Sequence, residues 1–88
     1  MHWQDKAQKV IAELSRQSYE QANRLPSGKM RKKHVPYSIP DTAVRLIEAL
    51  NRNDEHAAKS TMMYDYYAVN AYEAVKRAER ATKTSRSR

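Results

Sequence analysis

Apolar side chains recur at intervals of three and four residues along this chain, and two clusters of helix-breaking residues divide the pattern into three blocks. The first break runs from Pro26 to Pro40 and holds all three prolines and the one glycine, Gly28. The second break, residues 51–54, reads Asn-Arg-Asn-Asp. Because spacings of three and four are typical of amphipathic helices, the pattern predicts an all-α domain of three helices, with the third packed against the other two.

The two breaks set the predicted boundaries. Helix 1 is expected over about residues 3–24, a basic loop over 26–38, helix 2 over about 39–50 and helix 3 over about 54–82. We expect Ser38 to cap helix 2 and Asn53 or Asp54 to cap helix 3, because short polar side chains accept bonds from free helical N–H groups. Residues 1–82 then form one domain, and residues 83–88 form a basic, frayed tail.

The helical spacing also identifies the faces expected to be buried. On helix 1 the face consists of Trp3, Ala7, Val10, Ile11, Leu14, Ser18, Ala22 and Leu25. On helix 2 it consists of Ile39, Ala43, Leu46, Ile47 and Leu50, with Val44 at its edge. On helix 3 it is a heptad seam of Ala57, Thr61, Tyr64, Ala68, Ala71, Val75, Ala78 and Thr82. This seam is interpreted as core packing, and homodimerisation through helix 3 is the alternative.

Helix 3 carries a second apolar stripe, formed by Met62, Tyr66 and Val69. A helix with two apolar faces is either sandwiched between two neighbouring helices or presents one face to a partner. The sandwich is the expected arrangement in a three-helix domain. The alternative makes these three residues a protein interface.

Positive charge is concentrated in two segments of a chain whose net charge is +7. Residues 29–40 hold four basic and no acidic side chains, and residues 76–88 hold six basic and one acidic side chain. The first set, which we call the loop cations, is Lys29, Arg31, Lys32 and Lys33. The second set, the helix cations, includes Lys76, Arg77, Arg80 and Lys83. Clustered cations of this kind favour phosphate binding, so these eight residues are the predicted nucleic-acid contacts.

The predicted function is therefore a small, non-catalytic binding module that contacts nucleic acid, DNA or RNA, as a regulatory or accessory factor. About six phosphate contacts would give a salt slope near −5. A helix-turn-helix interpretation is disfavoured, because the would-be recognition helix opens with Asp54 and Glu55, which repel phosphate. The alternative function is an adaptor or inhibitor, viral or from a mobile element and directed at nucleic-acid machinery, that docks its Met62 stripe on an acidic protein partner.

Several other classes are not expected from the composition. The chain has no cysteine, which excludes disulfides and thiolate metal sites, and its three histidines lie in separate segments without metal-ligand spacing. A single glycine is too few for a phosphate-binding glycine loop. We therefore expect no catalytic residue, no metal, no cofactor and no membrane span, and a cytoplasmic location. No motif in the chain is specific enough to identify a family.

Overall fold

The structure, a computed structural model, describes the backbone of residues 2–86 and the side chains of residues 2–82. Over this range the chain forms four helices, which we number α1 (Trp3–Asn23), α2 (Asp41–Asn51), α3 (Glu55–Tyr64) and α4 (Tyr66–Arg86). The all-α prediction is confirmed. The count of three helices is wrong, because the predicted helix 3 is divided into α3 and α4 at Asp65.

Asp65 ends one helix and caps the next. Its backbone is extended, with φ −78° and ψ 121°, while its N–H still donates to the Thr61 carbonyl at 2.9 Å. The Asp65 Oδ1 accepts from the N–H of Tyr67 at 2.9 Å and from that of Ala68 at 3.4 Å. These N–H groups lie in the first turn of α4, where no intrahelical carbonyl is available to them. The break therefore keeps hydrogen bonds on both sides of Asp65.

The same carboxylate also attaches the α3–α4 junction to α2. Thr42 Oγ1 lies 3.1 and 3.0 Å from the two carboxylate oxygens and donates to the group, and Arg45 Nη1 forms an ion pair with it at 3.3 Å. Thr42 is buried, so its hydroxyl needs this partner within the protein. Contacts with α2 thus give a physical reason why the chain bends at Asp65 rather than continuing as one straight helix.

The hydrophobic core is thin because most of its members are small. Its buried apolar residues are Ala7, Val10, Leu14, Ala43, Leu46, Ala49, Ala58, Met62, Ala68 and Ala71. Six of these ten are alanine, so the helices pack with little side-chain volume between them. The molecule measures 41 × 39 × 20 Å, and its radius of gyration of 14.7 Å exceeds the ~12 Å of a compact chain of this length. The fold is a flat helical layer.

Three details of the predicted faces are wrong. Helix 2 begins at Asp41, two residues later than predicted, and Pro40 rather than Ser38 occupies the cap position, with no side-chain cap. Ile39 therefore lies in extended chain and is half exposed. On the predicted seam, Tyr64 is 80% exposed, because the bend at Asp65 directs the end of α3 away from the core. Ala78 and Thr82 are exposed as well, on the part of α4 that projects beyond the core.

The segment between α1 and α2 opens with a tight turn. The N–H of Gly28 donates to the Leu25 carbonyl and the N–H of Leu25 to the Lys29 carbonyl, both at 2.8 Å, and Arg24 and Met30 form an isolated antiparallel bridge. Gly28 adopts a φ of +88°, a backbone conformation that residues with a Cβ atom rarely adopt. The loop cations follow directly from this turn.

Asn23, the last residue of α1, holds the far side of the loop. Its side chain is fully buried; Oδ1 accepts from the Val35 N–H at 2.6 Å, and Nδ2 donates to the carbonyls of Val35 at 3.2 Å and Tyr19 at 3.1 Å. The Asn23 carbonyl also accepts from the N–H of Arg31 at 2.8 Å. Both ends of the run 31–35 are thus fastened to one residue of α1.

Candidate functional site

The loop cations are four neighbouring basic groups without a carboxylate partner in the described part of the chain. All four side chains, those of Lys29, Arg31, Lys32 and Lys33, are exposed, and none forms an ion pair with a described carboxylate. They fall within the five positions 29–33, and Asn23 fixes both ends of the run 31–35 that holds three of them. The result is a compact, exposed, positively charged arc at the carboxyl end of α1.

Most other basic side chains in the described range have a carboxylate partner. Pairs with N–O distances of 2.6–3.3 Å are Lys9–Glu79, Arg16–Glu13, Arg24–Glu20, Arg45–Asp65, Lys59–Glu55 and Lys76–Glu73. The hydrogen bond to Glu79 raises the pKa of Lys9, and the one from Arg16 lowers the pKa of Glu13. These groups already hold a counter-charge, which a phosphate would have to displace.

The helix cations are only partly available. Lys76 pairs with Glu73 at 3.0 Å, and its ammonium lies 4.9 Å from the centre of the Tyr72 ring. The hydrogen bond from Lys76 lowers the pKa of Glu73, and the charges of Arg80 and Arg77 lower it further. The side chain of Lys83 lies outside the described residues. Lys76 therefore already holds a counter-charge, whereas the loop cations hold none from the described residues.

The structure does not join the two predicted basic segments into one patch. Glu79, which lies between the helix cations Arg77 and Arg80, forms an ion pair with Lys9 near the start of α1. The loop, in contrast, begins after Asn23 at the other end of α1. These two points on α1 are 14 residues apart, which corresponds to about 21 Å along the helix axis. Within the described part of the chain, no hydrogen bond or ion pair links the loop cations to α4.

An open groove lies along the segment that follows the loop cations, although none of the four cations lines it. It has a volume of about 1040 Å³ and lies between the second half of α1, the extended segment 36–40 and the start of α2. Its lining includes Gln17, Ser18, Gln21, Arg24, Pro36, Tyr37, Ser38, Asp41, Thr42 and Tyr67. Sequence reasoning missed the groove because it depends on how the loop returns across α1, which helical periodicity does not encode.

Two of the residues that line this groove, Tyr37 and Tyr67, each pack against another aromatic ring. Tyr37 packs edge-on against Tyr19, with ring centres 5.5 Å apart, and Tyr19 in turn contacts and hydrogen-bonds His34. Tyr67 packs edge-on against Tyr66, with ring centres 5.6 Å apart. Both groove tyrosines therefore have a neighbouring ring that restricts their orientation.

The predicted protein interface is not a single surface. Met62 is 5% exposed and belongs to the core, whereas Tyr66 is 72% exposed and lies beyond the break at Asp65; Val69 is partly exposed. A different surface, which we call the aromatic corner, is formed where α3 meets α4. Its members are Met63, Tyr64, Tyr66 and Tyr67, each more than 60% exposed. One signal in the sequence was available: large side chains at four of five adjacent positions cannot all face one core.

No helix in the described part of the chain combines the length and the apolar character that crossing a bilayer requires. Comparison of the chain with protein-family models, with curated proteins and with solved structures gave no match.

Proposed function

We propose that this protein is a non-catalytic module that binds nucleic acid by contacting phosphates with the loop cations. The observation that carries the proposal is the contrast in pairing: the four loop cations have no carboxylate partner among the described residues, while each of the four helices has at least one basic side chain that does. An unpaired surface cation binds a phosphate without first releasing a carboxylate. Phosphate contacts of lysine and arginine supply most of the affinity of such modules.

The anchoring of the loop supports the same proposal. The Asn23 carbonyl accepts from the Arg31 N–H and its side-chain oxygen accepts from the Val35 N–H, so the charged segment is held before any ligand arrives. Binding then orders only the four cationic side chains, so less conformational entropy is lost than with a disordered tail. The helix cations are not part of this site, because Lys76 already pairs with Glu73 and the structure does not join the two basic segments.

The first prediction concerns the loop cations. The test variant changes Lys29→Gln, Arg31→Gln, Lys32→Gln and Lys33→Gln. We expect the slope of log K against log salt to flatten by about 3–4 and the affinity for DNA or RNA at about 0.1 M salt to fall by about a thousandfold, because up to four counterion-releasing contacts are removed and their contribution grows by about three powers of ten between 1 M and 0.1 M salt. Fluorescence anisotropy across a salt series measures both quantities.

A control variant removes the same number of charges elsewhere. It changes Lys9→Gln, Arg16→Gln, Arg52→Gln and Lys59→Gln, which lie on the helices or the α2–α3 turn. We expect this variant to lose much less affinity at the same net charge. Equal losses in the two variants would show that only total charge matters, and absence of binding by the unaltered protein at low salt would reject the proposed function.

Protein binding through the aromatic corner is the second candidate function. Exposed tyrosine and methionine side chains are enriched in protein interfaces, and the net charge of +7 favours an acidic partner. For this function, a partner captured after nuclease treatment and then purified should bind the unaltered protein and lose binding to the Tyr66→Asp variant. Because Tyr66 lies outside the core, circular dichroism should show unchanged helix content. Capture that survives the substitution would contradict this candidate.

A further inference from the structure

We infer that the groove beside the loop cations binds unpaired bases, so that the ligand is single-stranded nucleic acid rather than a duplex. This inference rests on the proposed function, because the loop cations are taken to hold the phosphates of the same strand. It adds a ligand class and a second site, the groove flanked by Tyr37 and Tyr67.

The two groove tyrosines have the properties of stacking platforms. Tyr37 is 43% and Tyr67 65% exposed, although each is packed against another tyrosine. Single-stranded nucleic acids bind to such surfaces because every base has an aromatic face that can stack on a side-chain ring. A ring already restricted by a neighbour loses little conformational entropy when a base stacks on it.

Polar side chains between the tyrosines match the edges of bases. The Gln21 amide lines the groove and has no hydrogen-bond partner among the described residues, so it can both donate and accept. Gln17 uses its Nε2 to reach Glu13 and keeps its carbonyl oxygen available, and Ser18 and Ser38 add hydroxyl groups. Unpaired bases expose donors and acceptors of this kind, whereas in a duplex their pairing edges are occupied.

The groove and the loop cations lie close enough to hold one strand. Tyr37 is four positions after Lys33, so their Cα atoms are at most about 14 Å apart. Arg24, which also lines the groove, donates from Nη1 to the Gly28 carbonyl at the start of the loop. When a phosphate of a strand binds the loop cations, the neighbouring bases of that strand are therefore close enough to reach the groove.

The charges inside the groove favour a base over a phosphate. Arg24 is neutralised by Glu20 at 3.2 Å, and the Asp41 carboxylate lines the groove without a cation partner in the described range. A phosphate would be repelled from Asp41, but an exocyclic amine of a base can donate to it. The charges thus direct the phosphate backbone of the nucleic acid to the loop cations and its bases to the groove.

The test compares one strand with a duplex. We use a labelled single strand of about 16 nucleotides, a length within the site sizes of single-strand binders, and the duplex of the same length. The unaltered protein should bind the single strand more tightly than the duplex. Tyr67→Leu and Tyr37→Leu should each weaken single-strand binding by about five- to a hundredfold and leave the salt slope and the duplex affinity unchanged. Tyr64→Leu, an exposed tyrosine outside the groove, should bind normally.

The outcomes separate this inference from the proposed function. Equal affinity for strand and duplex, with no effect of Tyr67→Leu, would overturn the groove inference and leave phosphate binding by the loop cations in place. Absence of binding to either nucleic acid would reject both. Loss of a protein partner, but not of a single strand, in Tyr67→Leu would assign the groove to a protein and overturn the inference. Since Tyr67 is more exposed than Tyr37, its variant still reports if Tyr37→Leu misfolds.

Discussion

Replacing Asn23 with alanine should lower the free energy of unfolding by about 2–4 kcal/mol and the melting temperature by roughly 10–25 °C. The Asn23 side chain is fully buried and makes three hydrogen bonds, two of them to the backbone of Val35. Alanine leaves that N–H and carbonyl without their protein partners and opens a cavity at the end of α1. A domain of this length is stable by about 4–13 kcal/mol, so the expected loss is a large fraction of the total.

Hydrogen exchange identifies the cause of that loss. The Val35 amide should lose protection in Asn23→Ala far more than amides in the middle of α2, because the substitution releases the loop before it unfolds the helices. Gln21→Ala is the matched control: its side chain is exposed on the same turn of α1 and makes no internal hydrogen bond, so its stability should change by less than about 0.5 kcal/mol. Equal destabilisation by the two substitutions would show that Asn23 is not an anchor.

The contrast between Asn23 and the rest of α1 shows what the sequence could predict. Apolar periodicity correctly places Ala7, Val10 and Leu14 in the core, because a helix that buries one face repeats every three to four residues. Asn23 carries no such signal: an asparagine at the end of a helix is ordinarily a cap or an exposed residue. Its burial depends on where Val35 returns, which is a tertiary contact twelve residues away.

The sequence predicts the positive charge of the candidate site but not the groove next to it. The loop cations follow from composition alone, since four basic residues without an acidic neighbour cannot be neutralised locally. The groove and its flanking tyrosines need the path of the segment 36–40 and the position of α4. The prediction that Met62, Tyr66 and Val69 form one stripe was wrong for a related reason: it required a straight helix across Asp65, where the chain breaks.

Replacing Asp65 with alanine should lower the free energy of unfolding by about 2–4 kcal/mol without reducing the helix content of the folded state. The Asp65 carboxylate caps α4 and accepts from the buried Thr42 hydroxyl, and it pairs with Arg45. A lost cap costs about 0.5–2 kcal/mol, and a lost hydrogen bond to a charged group costs about 1.5–3 kcal/mol. Alanine favours helix, so the far-ultraviolet circular dichroism should stay level or rise while the denaturation midpoint falls.

Asp54 provides the matched control for this substitution. It caps α3 through a single bond, in which Oδ1 accepts from the Ala57 N–H at 3.1 Å, and it has no partner on α2. Asp54→Ala should therefore cost about 1 kcal/mol, and the excess cost of Asp65→Ala measures the attachment to α2. A double-mutant cycle with Thr42→Val should show a coupling of about 1–2 kcal/mol. No coupling, or equal costs at the two aspartates, would mean that Asp65 acts only as a cap and that packing alone bends the chain.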